Sequence, residues 1–321
     1  MNNLDAIVIG GGPCGLSAAI ELQNKGLHVI VVEKGNVVNS LYRYPTHQTF
    51  FSSSIKLSIG DIPFITAKEK PKRNDALVYY RKVAELKGLN IHSYETVVSV
   101  EKQNDSFQVV TDKECYQAKH VIVATGYYDH PNTLNVPGEN LPKVYSYFKE
   151  AHPYFGKHVA VIGGKNSAVD TAIELVRAGA KVTVIYRGSV YSPSVKPWIL
   201  PSFDSFVRNG AITMHFEASV VEITPTSLVF KKDGTLHTID NDYVFSMIGY
   251  HPDYNLLSNM GITIDERTGK PDYDEETMET NVPGLYIAGV IAAGNNTNEI
   301  FIENGRLHGS LLANHISGKN A

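Results

Sequence analysis

Residues 8–35 read VIGGGPCGLSAAIELQNKGLHVIVVEKG, and residues 161–188 read VIGGKNSAVDTAIELVRAGAKVTVIYRG. The two stretches align without a gap at an offset of 153 residues, and 12 of their 28 positions are identical. Each stretch predicts an apolar strand, a glycine turn, an amphipathic helix that ends at Gly26 or Gly179, and a second apolar strand. The chain therefore contains two tandem βαβ units.

Similarity between the two halves resumes later, at an offset near 123 residues. There TVVSV at 96–100 matches SVVEI at 219–223, and VIVATGYY at 121–128 matches YVFSMIGY at 243–250. The polar, turn-rich residues between these matched stretches alternate as they do in a β-meander.

The strand-like and helix-like tail after the second copy has no repeat partner, so we expect it to complete the first copy. The fold class is therefore predicted as α/β, with two Rossmann-like dinucleotide-binding domains, each a three-layer fold with a parallel sheet and a β-meander. The predicted first domain comprises residues 1–126 and 251–321, and residues 127–250 form a second domain inserted in it. The final helix is expected to begin near Thr297 and Asn298.

Composition excludes several other classes of protein. The chain has 321 residues, with 29 Lys and Arg against 33 Asp and Glu and a net charge of −4, which argues against nucleic acid or a membrane surface as a partner. It lacks an apolar run of the roughly 18–20 residues that span a bilayer, and its start does not resemble a secretion signal. Two cysteines cannot build a disulfide scaffold, and no Cys/His cluster has metal-ligand spacing. We expect a cytoplasmic protein without a bound metal.

The first glycine turn matches a dinucleotide-binding pattern. Gly10 permits the tight turn, Gly12 lets the backbone approach a pyrophosphate, and Gly15 lets the helix pack closely on the strand. Glu33 ends the next strand, where a carboxylate accepts hydrogen bonds from ribose hydroxyls. Ala124, Thr125 and Gly126 form a later turn that lets the backbone run past a diphosphate.

The second turn departs from this pattern. Gly163 is retained, but Lys165 and Ala168 replace the second and third glycines. Tyr186 stands at the position of Glu33 and is followed by Arg187, a cation that favours a 2′-phosphate. The two turns therefore suggest two different dinucleotides, FAD in the first domain and NADPH in the second, a pairing that implies hydride transfer.

Several stretches resemble the thioredoxin-reductase-like flavoprotein oxidoreductases over essentially the whole chain, and within them the bacillithiol disulfide reductase family. The stretches that carry the closer resemblance are GGGPCGL (10–16), FFSSSIKLSIGDIPF (50–64), IGGKNSA (162–168), YSPSVKPWILP (191–201) and NEIFIENGRLHG (298–309). The resemblance implies FAD, NADPH, a low-molecular-weight disulfide as substrate and a redox-active Cys14, and it allows a homodimer.

The resemblance also implies further cofactor contacts beyond those of the two motifs. For FAD, with the motif residues above, these are Pro13, Cys14, Lys34, Val97, Gly289 and Ile300. For NADPH, with Gly163, Lys165 and Arg187, these are Asn166, Ser167 and Gly249. Two departures matter, because no C-x-x-C pair is present and Gly289 is followed by Val290 where the superfamily has an aspartate that binds the ribitol.

Cys14 has two interpretations. It lies in the first turn of the predicted helix, where free N–H groups and the helix dipole stabilise a thiolate and lower its pKa. Such a thiolate could attack a disulfide and form a mixed disulfide, which the reduced flavin or a substrate thiol would resolve. Alternatively, the position only requires a small residue that packs beside a pyrophosphate.

Three other functions stay open from the residues. ATGYYDHP (124–131) resembles a segment of flavin monooxygenases, although their F-x-G-x-x-x-H stretch is absent. A reductase of ferredoxin or flavodoxin needs no cysteine. A flavin- and NADPH-binding sensor with slow turnover would preserve both turns.

Overall fold

The computed structural model describes residues 3–319. Short 3-10 helices lie at His152–Tyr154 and Val290–Ala293. In chain order the elements are β1 (Asn3–Ile9), α1 (Pro13–Asn24), β2 (Val29–Glu33), α2 (Asn39–Arg43), α3 (Ser54–Leu57), α4 (Arg73–Leu86), β3 (Ile91–Ser93), β4 (Val97–Gln103), β5 (Ser106–Thr111), β6 (Cys115–Val123), β7 (Val144–Tyr145), β8 (His158–Ile162), α5 (Asn166–Arg177), β9 (Lys181–Ile185), α6 (Leu200–Arg208), β10 (Ile212–His215), β11 (Ala218–Ile223), β12 (Ser227–Lys232), β13 (Thr235–Asp240), β14 (Tyr243–Ser246), α7 (Tyr254–Asn259), β15 (Leu285–Ile287), α8 (Ile302–Gly305) and α9 (His308–Lys319).

Contacts divide the chain into two compact units, and the first comprises Met1–Arg43, His47–His130 and Tyr250–Ala321. Its sheet has the strand order β3-β2-β1-β6-β5-β4, with β15 also paired to β6. The strands β3, β2, β1, β6 and β15 run parallel, whereas β4, β5 and β6 form an antiparallel meander. Helix α1 packs closely on α9, because Gly309 brings its backbone against Ala18. This packing sets the tail beside the first glycine turn.

The second unit comprises Tyr44–Thr46 and Pro131–Gly249. It contains a five-stranded parallel sheet in the order β10-β9-β8-β14-β7 and a three-stranded antiparallel sheet, β11-β12-β13. The central strands consist almost entirely of buried apolar residues, as expected for a parallel sheet covered on both faces. The predicted α/β fold with two Rossmann-like domains is confirmed.

Each unit has its own chain ends paired at the insertion point. In the first unit, the His251 N–H donates to the His130 carbonyl at 2.9 Å, and Tyr128 packs on Tyr250 with ring centroids 4.7 Å apart. In the second unit, the Asn132 N–H donates to the Gly249 carbonyl at 3.0 Å. The tyrosines after Gly126 therefore pack in the first unit, and the domain boundaries at 127 and 250 stay a prediction.

The end of the chain differs from the predicted helix. The expected start near Thr297 is wrong, because the first helix of the tail, α8, begins at Ile302 and is separate from α9. The Asn304 side chain accepts from the Phe301 N–H at 2.7 Å and donates to the Glu299 carbonyl at 3.0 Å, which fixes this late start. Between residues 3 and 319, no helix combines the length and apolar character needed to cross a membrane.

Candidate functional site

The first glycine turn joins β1 to α1, and its three motif glycines have different surroundings. A Cβ at Gly10, whose φ is +110°, would lie 2.5 Å from the Ala124 carbonyl oxygen. A Cβ at Gly15 would lie 2.0 Å from the Gly10 carbonyl oxygen, so the helix sits too close for any side chain there. A Cβ at Gly12 would meet nothing within 4 Å. The first and third glycines therefore serve packing, and the second leaves an open approach to the backbone.

This open approach lies at the start of α1. Gly12 is the N-cap and supplies no side-chain cap, and Pro13 occupies the first turn, where its missing N–H costs nothing. A helix start whose N–H groups lack a side-chain acceptor is a binding site for a phosphate. The turn therefore fits the pyrophosphate of a dinucleotide.

Glu33 ends β2 beside this turn and is buried, with 7% of its surface exposed. Its carboxylate accepts hydrogen bonds from the Gly11 N–H and the Gly35 N–H, both at 2.7 Å. Burial raises the pKa of Glu33 above its usual range, although the two N–H donors act in the opposite direction. Each carboxylate oxygen has a second lone pair, so the group can still accept from ribose hydroxyls.

Lys34, the next residue, is paired with a carboxylate. Its Nζ lies 3.0 Å from Asp129, which also forms an ion pair with Arg43. Asp129 has a side-chain exposure of 13%, compared with 48% for Lys34. Asp129 was not among the residues predicted from the sequence. Nothing in the motif indicates that the residues after the turn at Ala124, Thr125 and Gly126, here called the ATG turn, contact the end of β2.

The ATG turn runs beside Gly10, as its close approach to Ala124 requires. Gly126 has a φ of +69°. The Thr125 hydroxyl is buried and makes no hydrogen bond to any of the described residues. An unpaired buried hydroxyl is costly, which indicates a ligand that completes this site.

Val97 begins β4 and lines a cavity of about 470 Å³ within the first unit. The cavity also contacts His130, His251 and residues of α7. Val97 therefore lies beside open space, and its contact with a cofactor stays a prediction.

Cys14 is buried by the tail of the chain. A Cβ at Gly289 would lie 3.0 Å from Cys14 Sγ, and a Cβ at Gly305 would lie 3.1 Å from the same atom. Ile300 is also buried, and the same Cβ at Gly305 would lie 3.1 Å from its Cγ2 atom. Only 9% of Cys14 is exposed. Two glycines that are distant in sequence therefore make room for this sulfur.

Burial also decides the protonation of Cys14. Loss of solvent raises the pKa of Cys14 to about 12 and so opposes the lowering that the start of a helix favours. The same burial, together with the nearby Cys14, raises the pKa of Tyr127 to about 12. Both groups are therefore protonated at neutral pH.

Gly289 is held by a histidine that sequence analysis did not single out. The Gly289 N–H donates to His308 Nδ1 at 3.2 Å, which assigns the proton of the neutral ring to Nε2. Burial lowers the pKa of His308, so the ring is neutral at pH 7. Gly305 and Gly309 lie four residues apart, and this spacing of small residues is the sequence signal that could have predicted the close packing.

The second glycine turn joins β8 to α5. A Cβ at Gly163, whose φ is +132°, would lie 2.4 Å from the Met247 carbonyl oxygen, as at Gly10 in the first unit. Lys165 is the N-cap of α5 and is exposed, as is Ser167. The start of this helix also lacks a side-chain cap, so it fits a phosphate with a cation beside it.

The side chain of Asn166 forms hydrogen bonds with the backbone of a loop in the second unit. Its Nδ2 donates to the Ser194 carbonyl at 2.8 Å, and its Oδ1 accepts from the Lys196 N–H at 2.9 Å. Gly249 has a φ of +94° and lies beside Asn132. Asn166 therefore positions the loop after Arg187, and any direct contact with a coenzyme stays a prediction.

Arg187 is exposed and follows β9. No carboxylate of the described residues forms an ion pair with its guanidinium, in contrast to the paired Lys34 at the aligned position of the first unit. The ring of Tyr186, which takes the place of Glu33, lies against Gly164 and Gly188. The second turn thus offers an available cation and no carboxylate at this position.

Comparison with known proteins gives one family and several close relatives. The family model for pyridine nucleotide-disulphide oxidoreductases matches residues 7–289. A curated relative, Bacilliredoxin reductase Bdr of Bacillus subtilis (strain 168), is 61% identical over 314 residues, which are 97% of this chain and 97% of the relative.

Two solved structures resemble the whole chain. Bacillithiol disulfide reductase Bdr from Bacillus cereus is 59% identical with a TM-score of 0.98, covering 99% of this chain and 100% of that one. The enzyme of the same name from Staphylococcus aureus is 55% identical with a TM-score of 0.97, covering all of both chains.

Proposed function

The chain belongs to the pyridine nucleotide-disulphide oxidoreductase family and, within it, to the bacillithiol disulfide reductases, and from this premise we propose that it is an FAD-containing, NADPH-dependent reductase of a low-molecular-weight disulfide. The observation that carries the proposal is the difference between its two turns, one with a buried carboxylate and one with an unpaired cation. When bound, FAD accepts a hydride from NADPH and supplies two electrons to the disulfide. In the net reaction one disulfide, one NADPH and one proton give two thiols and NADP⁺.

The first unit is proposed to bind FAD. The open backbone at Gly12 and the start of α1 would hold the pyrophosphate. The Glu33 carboxylate would accept from the ribose hydroxyls, and the unpaired Thr125 hydroxyl would gain a hydrogen-bond partner. Residues 1–126 and 251–321 would form this domain.

The second unit is proposed to bind NADPH. The start of α5 and Lys165 would hold the pyrophosphate, and Arg187 would bind the 2′-phosphate through charge-assisted hydrogen bonds. These contacts involve residues within 127–250, the predicted second domain.

The redox role of Cys14 stays a prediction on which the geometry places two demands. A mixed disulfide at Sγ requires the packing against Gly289 and Gly305 to open. It also requires the thiol to ionise from a pKa of about 12. We keep the redox role of Cys14 as the proposal, and the alternative is reduction of the substrate without a bond to Cys14, in which this position only requires a small residue.

Bacillithiol disulfide is the first candidate substrate, because the relatives from B. cereus and S. aureus carry its name. The deciding experiment is anaerobic NADPH oxidation by the purified flavoprotein with bacillithiol disulfide as the only acceptor. Disulfide-dependent turnover well above the acceptor-free rate would support the proposal. Turnover with ferredoxin and none with the disulfide would contradict it.

Cys14→Ala and Cys115→Ala are assayed in parallel. Cys115 is exposed at the start of β6 and serves as the matched control. We expect Cys14→Ala to lose disulfide-dependent turnover while NADPH still bleaches its flavin, and Cys115→Ala to retain turnover within a few-fold of the unmodified enzyme. Retained turnover in Cys14→Ala would leave Cys14 with a packing role only.

A further inference from the structure

Tyr186 occupies, in the second unit, the position that Glu33 occupies in the first. A Cβ at Gly164 would lie 2.4–2.6 Å from ring atoms Cδ2, Cγ and Cδ1 of Tyr186. A Cβ at Gly188 would lie 2.5–2.8 Å from Cε1, Cζ and the hydroxyl oxygen. Carbon atoms do not approach so closely, so both positions must be glycine for the ring to lie where it does.

The aligned glycines do different work in the first unit. Gly11 and Gly35, which align with Gly164 and Gly188, donate their N–H groups to the Glu33 carboxylate. In the second unit the same pair of positions instead makes room for an aromatic ring. The ring therefore fills the space in which a carboxylate would accept from a free ribose 2′-hydroxyl.

The ring carries a hydroxyl, and the next residue along the chain, Arg187, carries a positive charge. No residue in the range 3–319 forms a hydrogen bond with the Tyr186 hydroxyl, and the adjacent Arg187 has no ion-pair partner in that range. A 2′-phosphate has only acceptor oxygens at neutral pH, so it matches a phenol O–H and a guanidinium. A 2′-hydroxyl finds no carboxylate here.

We propose that Tyr186, seated between Gly164 and Gly188, is a coenzyme-specificity residue that selects 2′-phosphorylated adenine dinucleotides together with Arg187. The inference rests on the proposed function, in which NADPH is the coenzyme. It goes beyond Arg187 because it assigns discrimination to the ring: the ring removes the acceptor site for NADH and its hydroxyl donates to the phosphate of NADPH.

The test compares three variants of the flavin-loaded enzyme with a control. Tyr186→Phe keeps the ring and removes its donor, Tyr186→Glu restores the arrangement of the first unit, and Gly188→Ala displaces the ring. Tyr154→Phe is the control, since Tyr154 packs on Tyr243 and Phe245 of β14, two strands away from β9 in the sheet. Calorimetry measures the Kd of 2′,5′-ADP and of 5′-AMP, and stopped-flow flavin reduction gives the Kd of NADPH and of NADH.

Tyr186→Phe should weaken 2′,5′-ADP by roughly tenfold and leave 5′-AMP unchanged, because only the phosphate loses a charge-assisted hydrogen bond. Gly188→Ala should weaken 2′,5′-ADP at least as much. Tyr186→Glu should bring the ratio of the NADPH and NADH dissociation constants to about one or reverse it, since like charges repel and the ribose regains its acceptor. Tyr154→Phe should match the unmodified protein.

Two failures are distinguishable. If the unmodified enzyme binds 2′,5′-ADP no more tightly than 5′-AMP, the NADPH assignment itself fails and the inference falls with it. If the unmodified enzyme prefers 2′,5′-ADP but Tyr186→Phe and Tyr186→Glu keep that preference within twofold, the ring has no role in selection and Arg187 acts alone. Tyr186→Phe is isosteric, so the test does not depend on whether Gly188→Ala folds.

Discussion

The two glycine turns share one backbone plan and differ in what surrounds it. At Gly10 and at Gly163 the backbone lies so close to a carbonyl oxygen, of Ala124 and Met247 respectively, that a Cβ would collide with it. The two units differ at four later positions of the alignment, two at the start of the helix and two at the end of the second strand. At these positions the first unit has Cys14, Gly15, Glu33 and Lys34, and the second has Ser167, Ala168, Tyr186 and Arg187.

The difference follows from what each unit packs against its turn. In the first unit the tail buries Cys14, and Asp129 neutralises Lys34. In the second unit the aligned Ser167 and Arg187 are both exposed. A buried, charge-balanced turn suits a cofactor that stays bound, whereas an exposed turn with an available cation suits a coenzyme that exchanges in every cycle.

The largest expected effect is at the third motif position. Gly15→Ala should lower the free energy of unfolding by ~3 kcal/mol, because its methyl group would collide with the Gly10 carbonyl. The reverse change at the aligned site, Ala168→Gly, should cost only ~1 kcal/mol, the helix propensity of alanine over glycine. Thermal unfolding and the flavin content of the purified protein measure both effects. An unchanged melting temperature and full flavin content in Gly15→Ala would break the comparison.

The next effect concerns the two cations. Arg187→Gln should weaken 2′,5′-ADP by ~2 kcal/mol, because a hydrogen bond between charged groups is lost. Lys34→Gln should leave 2′,5′-ADP binding unchanged, since that lysine is already paired with Asp129. Calorimetric titration of both variants checks this contrast, and an equal loss in the two variants would show that the cations do not act separately.

A smaller effect concerns Cys14 and pH. The folded-state pKa is raised from 9.0 to about 12, so the folded protein keeps a proton that the unfolded chain loses, and stability falls as pH rises from about 9 toward 12. At pH 10 the loss should be on the order of 1 kcal/mol relative to neutral pH. Urea unfolding of the unmodified protein and of Cys14→Ala at pH 7 and pH 10 isolates this contribution, because the other titrating groups are common to both.

The stability of Cys14→Ala should therefore fall less between pH 7 and pH 10 than that of the unmodified protein, by the contribution of this one thiol. Native alkylation gives a second view of the same property: iodoacetamide at pH 8 should label the exposed Cys115 and spare Cys14. Equal labelling of the two thiols in the native protein would contradict the burial argument.

The smallest effect is the energy of the Lys34–Asp129 pair. Lys34 is half exposed, so solvent weakens the attraction and the coupling energy should lie below ~1 kcal/mol. A double-mutant cycle with Lys34→Gln and Asp129→Asn, measured by urea unfolding, gives this value. A coupling of several kcal/mol would mean that Lys34 is as structurally committed as Glu33, which would sharpen the contrast with Arg187.

Much of this architecture follows from local patterns. The repeat can be read from the sequence itself, and the strand–turn–helix units with their glycine turns could be predicted, because each unit depends on residues within about 30 positions of one another. The burial of Cys14 could not, because Gly289 and Gly305 reach it from the other end of the chain. Burial opposes the effect of the helix start on the pKa of the thiol, and only the fold shows that burial.

Other contacts escaped for the same reason. The pairing of Lys34 with Asp129 depends on the path of the chain after the ATG turn, which no motif encodes. The late start of α8 depends on the side chain of Asn304, which offers the backbone an alternative to helical hydrogen bonds. The sequence shows that Tyr186 replaces the carboxylate of Glu33, but only the structure shows that its ring lies between Gly164 and Gly188.

The paired chain ends of each unit also bear on how such a protein arises. Because His130 bonds to His251 and Asn132 to Gly249, a chain that leaves at one of these points returns beside it. The entropic free-energy cost of closing a loop grows slowly, by about 0.6 kcal/mol for each doubling of its length. The first unit therefore tolerates a long insertion at such a place. A gene duplication could therefore insert a second nucleotide-binding domain at this turn without changing the strand pairing in the sheet of the first unit. The same pair of chain ends is a suitable place to replace the inserted domain with a different nucleotide-binding domain.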